Sequence, residues 1–255
     1  VGVLSTVILA GDLLTRGVPW RAILGFLSVT SLIFGIVLYI MRKHEPPQQK
    51  ISVKQVTQQY IDCLKSKRLW IFCAMMIFAG GAEGAFTFWS ASYIQMNFAT
   101  NARMAGFGTA CFAAGMMTMR FLSGILVGQQ KLRRLIISSA LIGCGVALCI
   151  PFVQSITTFF IVLFFAGVSI ACFWPSIQSY AVDRIPHIDA TTAFIIMSCA
   201  GVPGFGGTTL IMGFVADSVG FANSFFVVPI LLILLVISAV IERHMETSKN
   251  SGEKT

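Results

Sequence analysis

Seven apolar runs, each about long enough to cross a bilayer, leave this chain few ways to fold. They cover residues 20–41, 69–98, 104–128, 135–153, 156–180, 190–215 and 221–241. A helix needs about 20 mostly apolar residues to span the hydrocarbon core. None of the runs alternates apolar and polar with period two, so spanning helices are expected rather than barrel strands. With 56% hydrophobic and 11% charged residues and a mean hydropathy of +0.84, the chain lies outside the range of soluble domains. The expected fold is an all-α membrane bundle. An eighth apolar stretch, 1–14, is too short to span. It reads as the end of a truncated helix, which implies a larger protein. It lacks the basic leader and cleavage site of a signal peptide.

The net charge of +8 fits membrane orientation better than nucleic-acid binding. The segment 42–68 holds Arg42, Lys43, Lys50, Lys54, Lys65, Lys67 and Arg68. Lys131, Arg133 and Arg134 fall on the same side, as do Arg184, Arg243, Lys249 and Lys254. Only Arg16, Arg21 and Arg103 fall on the other side, and Arg120 lies within a span. The positive-inside rule then places 42–68 and the C-terminal tail in the cytoplasm, as expected of a multi-pass protein of the cell membrane. Pro46-Pro47 and Gln48-Gln49 make a linker there. Ser52 with Gln55 reads as a capping box. Val53, Val56, Tyr60, Ile61 and Leu64 recur at helical spacing, as in an amphipathic helix lying on the membrane face.

Glu83 is the one acidic side chain well inside an apolar run, in the stretch GGAEGAFTFWSASY. A carboxylate at membrane depth costs at least about 2.5 kcal/mol on insertion scales, so a proton, cation, polar solute or buried partner is expected to offset it. Gly80, Gly81, Ala82, Gly84 and Ala85 allow close approach of a helix or ligand. Phe86, Phe88, Trp89 and Tyr93 follow. A carboxylate accepts hydrogen bonds from hydroxyls and aromatic rings stack on C–H faces, which suits a polyol. A buried Glu bonded to a helix neighbour is the structural alternative.

Arg120 is the other embedded charge. Measured from Leu69 and Gly128 as inner edges, helical rise sets Glu83 about 21 Å deep and Arg120 about 12 Å deep. The two are therefore expected to share a cavity without a tight pair, Arg120 turning to backbone carbonyls or to an acid near the inside gate. Two later runs contain breakers. Phe173-Trp174-Pro175 interrupts 156–180, and Gly201, Pro203, Gly204, Gly206 and Gly207 crowd 190–215. Interrupted spans in transporters point to the solute pathway. Gln178 and Ser198 either line a cavity there or bridge helices. GDLLTRGV from Gly11 and GFVADSVGF from Gly213, with Asp217, end spans alike, as in a tandem repeat.

Other chemistry finds no residues. The seven cysteines are scattered without C-x-x-C, and His44, His187 and His244 form no metal-ligand pattern. No catalytic motif, cofactor or metal site is expected, and the chain does not read as an enzyme.

Together these features resemble the major facilitator superfamily. MRFLSGILVGQQKLRRL, from Met119, is similar to that family's signature between helices 8 and 9, with Arg120, Gly124, Arg133 and Arg134 matching. The usual Asp is absent, with Val127, Gly128 and Gln129 near its place. GFVADSVG resembles the pattern that ends helix 11. The resemblance implies that 1–41 closes an N-terminal half (the end of helix 5, then helix 6). It makes 42–68 the cytoplasmic central loop, 69–244 the six-helix C-terminal half and 245–255 a cytoplasmic tail. The missing N-terminal half is then a partner of this piece. Glu83 with Trp89 and Tyr93, and the stretch FWPSIQSYAVDRIP, look most like fucose-permease-type sugar carriers, a group whose transport is typically coupled to protons. The resemblance implies alternating-access symport of a small polar solute, a sugar, across the inner membrane. Glu83, Trp89, Tyr93, Trp174 and Gln178 would bind the solute. Arg120, Gly124, Pro175, Pro203 and Asp217 would gate or hold the frame. Drug or organic-anion efflux, and a non-transporting remnant or receptor-like protein, are the alternative functions.

Overall fold

The computed structural model describes residues 2–42, 53–186 and 188–252. All regular structure among them is helical: α1 (Gly2–Thr15), α2 (Trp20–Met41), α3 (Val53–Lys65), α4 (Lys67–Asn97), α5 (Ala102–Leu126), α6 (Leu132–Cys149), α7 (Ile156–Ile170), α8 (Phe173–Arg184), α9 (Ala190–Val219), α10 (Phe221–Ser224) and α11 (Val227–Gly252). The seven runs become seven helical spans, with α7 and α8 sharing one and α10 and α11 another. The protein is therefore an all-α, multi-pass membrane bundle.

Side chains that bond the first-turn N–H groups fix where several helices begin. Ser66 accepts from Leu69 N, Asn101 from Met104 N at 3.1 Å and Asp189 from Thr192 N at 2.8 Å. At the other end of α9 the chain must turn sharply, and Gly220 supplies a φ of +96°. The expected capping box at Ser52, the Pro46–Gln49 linker and His44 and His187 lie outside the described residues. The helix they were expected to introduce is present as α3, which buries Cys63 and leaves Ile61 and Leu64 exposed. The Trp70 indole N–H ties it to α4 by donating to the Leu64 carbonyl at 2.9 Å.

Two helix crossings share one geometry. Where α4 crosses α9, a Cβ on Gly204 would strike the Ile77 carbonyl, and one on Gly80 would strike the Gly201 carbonyl. Where α5 crosses α7, a Cβ on Gly167 would strike the Phe112 carbonyl, and one on Gly115 that of Phe164. In each helix the glycine sits three residues after the carbonyl it protects. Small residues of this kind let helices pack backbone to backbone in lipid, where no hydrophobic force drives association. A third close approach joins α1 to α5 through Gly11 and Gly106, and Thr15 Oγ1 accepts there from Arg103 N at 3.0 Å.

The breakers of 190–215 were expected to interrupt their span, and they do not. Helix α9 runs unbroken through Pro203. Gly204 serves the crossing with α4, Gly201 makes room for the Trp174 ring, and Gly206 and Gly207 face open space. Membrane helices tolerate the amide lost at Pro203 where neighbours pack against them. The break at Phe173–Pro175 is real, since α7 ends at Ile170 and α8 starts at Phe173. Helix α2 is apolar along most of its length and buries none of its side chains against the described residues.

Candidate functional site

Pro175 organises the centre of the bundle. In a continuous helix the Ala171 carbonyl would accept from the amide four residues on. That residue is Pro175, which has no N–H. Arg120 of α5 fills the gap, its Nε donating to the Ala171 carbonyl at 3.0 Å. This bond holds the guanidinium beside α4, where Nη2 stands 3.6 Å from Glu83 Oε1. Glu83 and Arg120 are closer than their helical rise allowed, though still outside hydrogen-bond distance. Helical rise alone treats α4 and α5 as parallel, Gly128 lies beyond the end of α5, and arginine's long side chain spans what remains. The expected shared cavity and the expected backbone partner for Arg120 are both present.

Trp174 approaches Glu83 from α8. Its indole N–H lies within electrostatic range of the carboxylate. Even so, Trp174 Nε1 and Glu83 Oε2 are both buried with no hydrogen-bond partner among the described residues. An unmet buried polar group costs about 1–3 kcal/mol, so this arrangement favours an added hydrogen-bonding group. Gly201 sets where the indole lies, because any side chain there would run into the ring. A cavity of about 470 Å³ opens beside Glu83 and Arg120, between α1, α4 and α5, and Trp174 is not among the residues that line it. Glu83, Thr87, Thr109 and Arg120 form its polar wall, and Phe112 and Met116 part of its apolar wall. Its size falls within the usual range for small-molecule sites. The Arg120 side chain is 46% exposed and that of Glu83 16%, so the arginine is the more accessible of the two.

Three residues expected at the site lie elsewhere. Tyr93 is buried in a ring cluster, 4.8 Å from Phe159 and 5.4 Å from Phe225 between centroids. Trp89 packs 4.9 Å from Phe221, its Nε1 buried and without a hydrogen-bond partner among the described residues. Gln178 bridges α8 to α9, donating to Ser198 Oγ at 2.8 Å. Of the residues expected to form the frame, Gly124 has open space around it, and Asp217 borders a shallow cleft with Gly213 and Phe214. Pro203 lies inside α9.

Glu242 was missed. It is fully buried and accepts from Arg68 Nε at 2.8 Å and from the Tyr180 hydroxyl. Arg68 Nη1 also donates to the Arg184 carbonyl at 3.0 Å, so one cluster ties α4, α8 and α11 together. In the sequence Glu242 follows Ile241 directly at the end of an apolar run, where it looks like the first residue of a solvated tail.

The sequence profile of the Major Facilitator Superfamily matches residues 92–255. The chain belongs to that superfamily, whose members are secondary transporters and generally not enzymes. No curated protein matches it. The matched region includes Arg120, Trp174 and Pro175 and begins after Glu83.

Proposed function

We propose that the chain belongs to a transporter that moves a small polar solute, a sugar, by alternating access, with protons as the coupling ion. On this reading α4 to α11 supply the six spans of one half, and α1 and α2 belong to the other. The segment between α2 and α4 is the cytoplasmic central loop, and the C-terminal tail is cytoplasmic too. The observation that carries the proposal is the largely buried Glu83 carboxylate, with one oxygen unpartnered among the described residues, beside Arg120. A sugar hydroxyl is both donor and acceptor, so hydroxyls in the cavity donate to the Glu83 carboxylate and accept from Arg120, both of which line it. The 470 Å³ cavity gives such a solute room next to the pair. Transport then follows from rocking of the two halves about the site, with no covalent step.

Efflux of an apolar organic ion is the second reading, favoured by Met116, Met117 and Phe112 in the cavity wall. Full-length protein in proteoliposomes separates the two when tested with labelled monosaccharides and with lipophilic cations and anions. Monosaccharide accumulation that rises with an imposed proton gradient supports the sugar reading. Movement of lipophilic ions alone refutes it.

A further inference from the structure

A second polar cavity, of about 520 Å³, lies at the end of the bundle that holds the Arg68–Glu242 cluster. Its wall comes from three separate parts of the chain. Arg133 and Arg134 open α6, Asp183 and Arg184 close α8, and Arg243 follows the buried Glu242 on α11. Four guanidinium groups therefore face one carboxylate. Glu242 does not redress the balance, because Arg68 and Tyr180 occupy it. Arg184 is already engaged, with its guanidinium 5.0 Å from the Tyr180 ring centroid and its carbonyl accepting from Arg68. Arg133 and Arg134 make no hydrogen bond or ion pair with any described residue. The wall is held in shape by Gln129, which donates to Ser179 Oγ at 2.8 Å and so ties the turn before α6 to α8.

A phosphate fits these features. Arginine forks bind phosphate oxygens two at a time, and converging forks from different helices surround one group. On α11, Ile241 and Met245 lie at the same level of the bundle as Arg243 and are exposed, so apolar surface for the chains of a lipid is available at that depth. Basic pockets between helices on the positively charged face of a membrane protein attract anionic headgroups.

We propose that this basin, with Arg133 and Arg134 as donors that make no hydrogen bond or ion pair among the described residues, binds a phosphate-bearing anion. It lies apart from the Glu83 cavity and is independent of the solute transported there.

The test uses full-length protein in nanodiscs of phosphatidylcholine alone, or with about one-fifth phosphatidylglycerol. Lipid retention is read by native mass spectrometry. A parallel arm titrates pyrophosphate into the phosphatidylcholine discs and follows the melting temperature. Three variants are compared with the wild type: Arg133→Gln/Arg134→Gln, the charge-keeping Arg133→Lys/Arg134→Lys, and Lys67→Gln/Lys131→Gln as a control that removes equal charge outside the basin. Each surface arginine contributes roughly fivefold to anionic-lipid binding, so the glutamine pair should lose about 25-fold in phosphatidylglycerol preference. The lysine pair should keep most of that preference, and the control should lose less than the glutamine pair. Dependence on Arg133 and Arg134 in the lipid arm assigns the site to a headgroup, and in the pyrophosphate arm alone to a soluble phosphate. Either result supports the proposal. Wild-type behaviour of the glutamine pair in both arms overturns it, as does an equal loss in the control.

Discussion

Arg120 and Pro175 meet through one atom, the Ala171 carbonyl. The proline deprives it of a helical donor and the arginine supplies one at 3.0 Å. A helix breaker in one span thereby fixes a cation from another beside Glu83. Neither residue would hold the site alone.

Pro175→Ala restores an amide that competes with Arg120 for that carbonyl. A hydrogen bond from a charged group contributes about 1.5–3 kcal/mol, so releasing Arg120 should weaken solute binding roughly tenfold or more. The melting temperature should not fall, because alanine suits a helix better than proline does. Isothermal titration of the transported solute checks the first expectation and a detergent melt the second. Unchanged affinity would separate the proline from the site.

The buried pair of Arg68 and Glu242 gives an asymmetric prediction. Arg68→Ala leaves a fully buried carboxylate without its cation and should destabilise the protein by about 3–5 kcal/mol. Replacing both partners by apolar residues, as in Arg68→Met/Glu242→Leu, should cost much less than the single change. Melting temperatures of the two variants decide it. Equal losses would mean that the pair is held by its neighbours and not by its charges.

At the α4–α9 crossing, Gly204→Ala puts a methyl group against the Ile77 carbonyl. Overpacking of this kind costs typically about 1–3 kcal/mol, and here neither backbone can yield easily. Gly124→Ala meets open space and should stabilise α5 by up to about 1 kcal/mol. Monodisperse yield after size exclusion separates the two.

Outside the spans, Asp189 caps α9. The Thr192 backbone N–H and then its hydroxyl hold the carboxyl below the usual carboxylate range. A group with a lowered folded-state pKa contributes stability that is present above its unfolded pKa of about 3.9 and is lost as pH falls through the lowered folded value. Asp189→Ala should therefore cost about 1 kcal/mol at neutral pH. The difference from wild type should shrink below about pH 4. Melting temperature against pH for both proteins tests this, and a difference that stays constant down to pH 2.5 contradicts it.

Much of this architecture was legible in the sequence, because span length and apolarity are local properties. The seven spans and the break before Pro175 follow from them. Glu83 and Arg120 also stood out, as charges inside apolar runs. Other features depend on what a neighbour does. Gly201 and Gly204 read as breakers until Trp174 of α8 and helix α4 lie across them, since a glycine that packs and one that bends look alike in one dimension. Glu242 looks like a tail residue until Arg68 and Tyr180 fold over it. Tyr93 shares a helix with Glu83, yet apart from Phe98 the rings around it come from α7, α10 and the segment after α10. The Glu83–Arg120 distance depends on helix tilt, which rise arithmetic omits.

The most direct measurement is solute affinity for wild type, Glu83→Gln and Glu83→Ala across pH in the full-length protein, with melting temperatures recorded alongside. Glutamine keeps a hydrogen-bonding group at the site but no titrating one. Glu83→Gln should bind within about threefold of wild type and lose any pH dependence that Glu83 confers, the loss of one neutral hydrogen bond being about 0.5–1.5 kcal/mol. Glu83→Ala removes the carboxylate that stands 3.6 Å from Arg120 and leaves the solute no acceptor there, so it should bind at least about tenfold more weakly while still folding. Wild-type affinity in Glu83→Ala at every pH would show that the carboxylate is structural and that solute binds elsewhere.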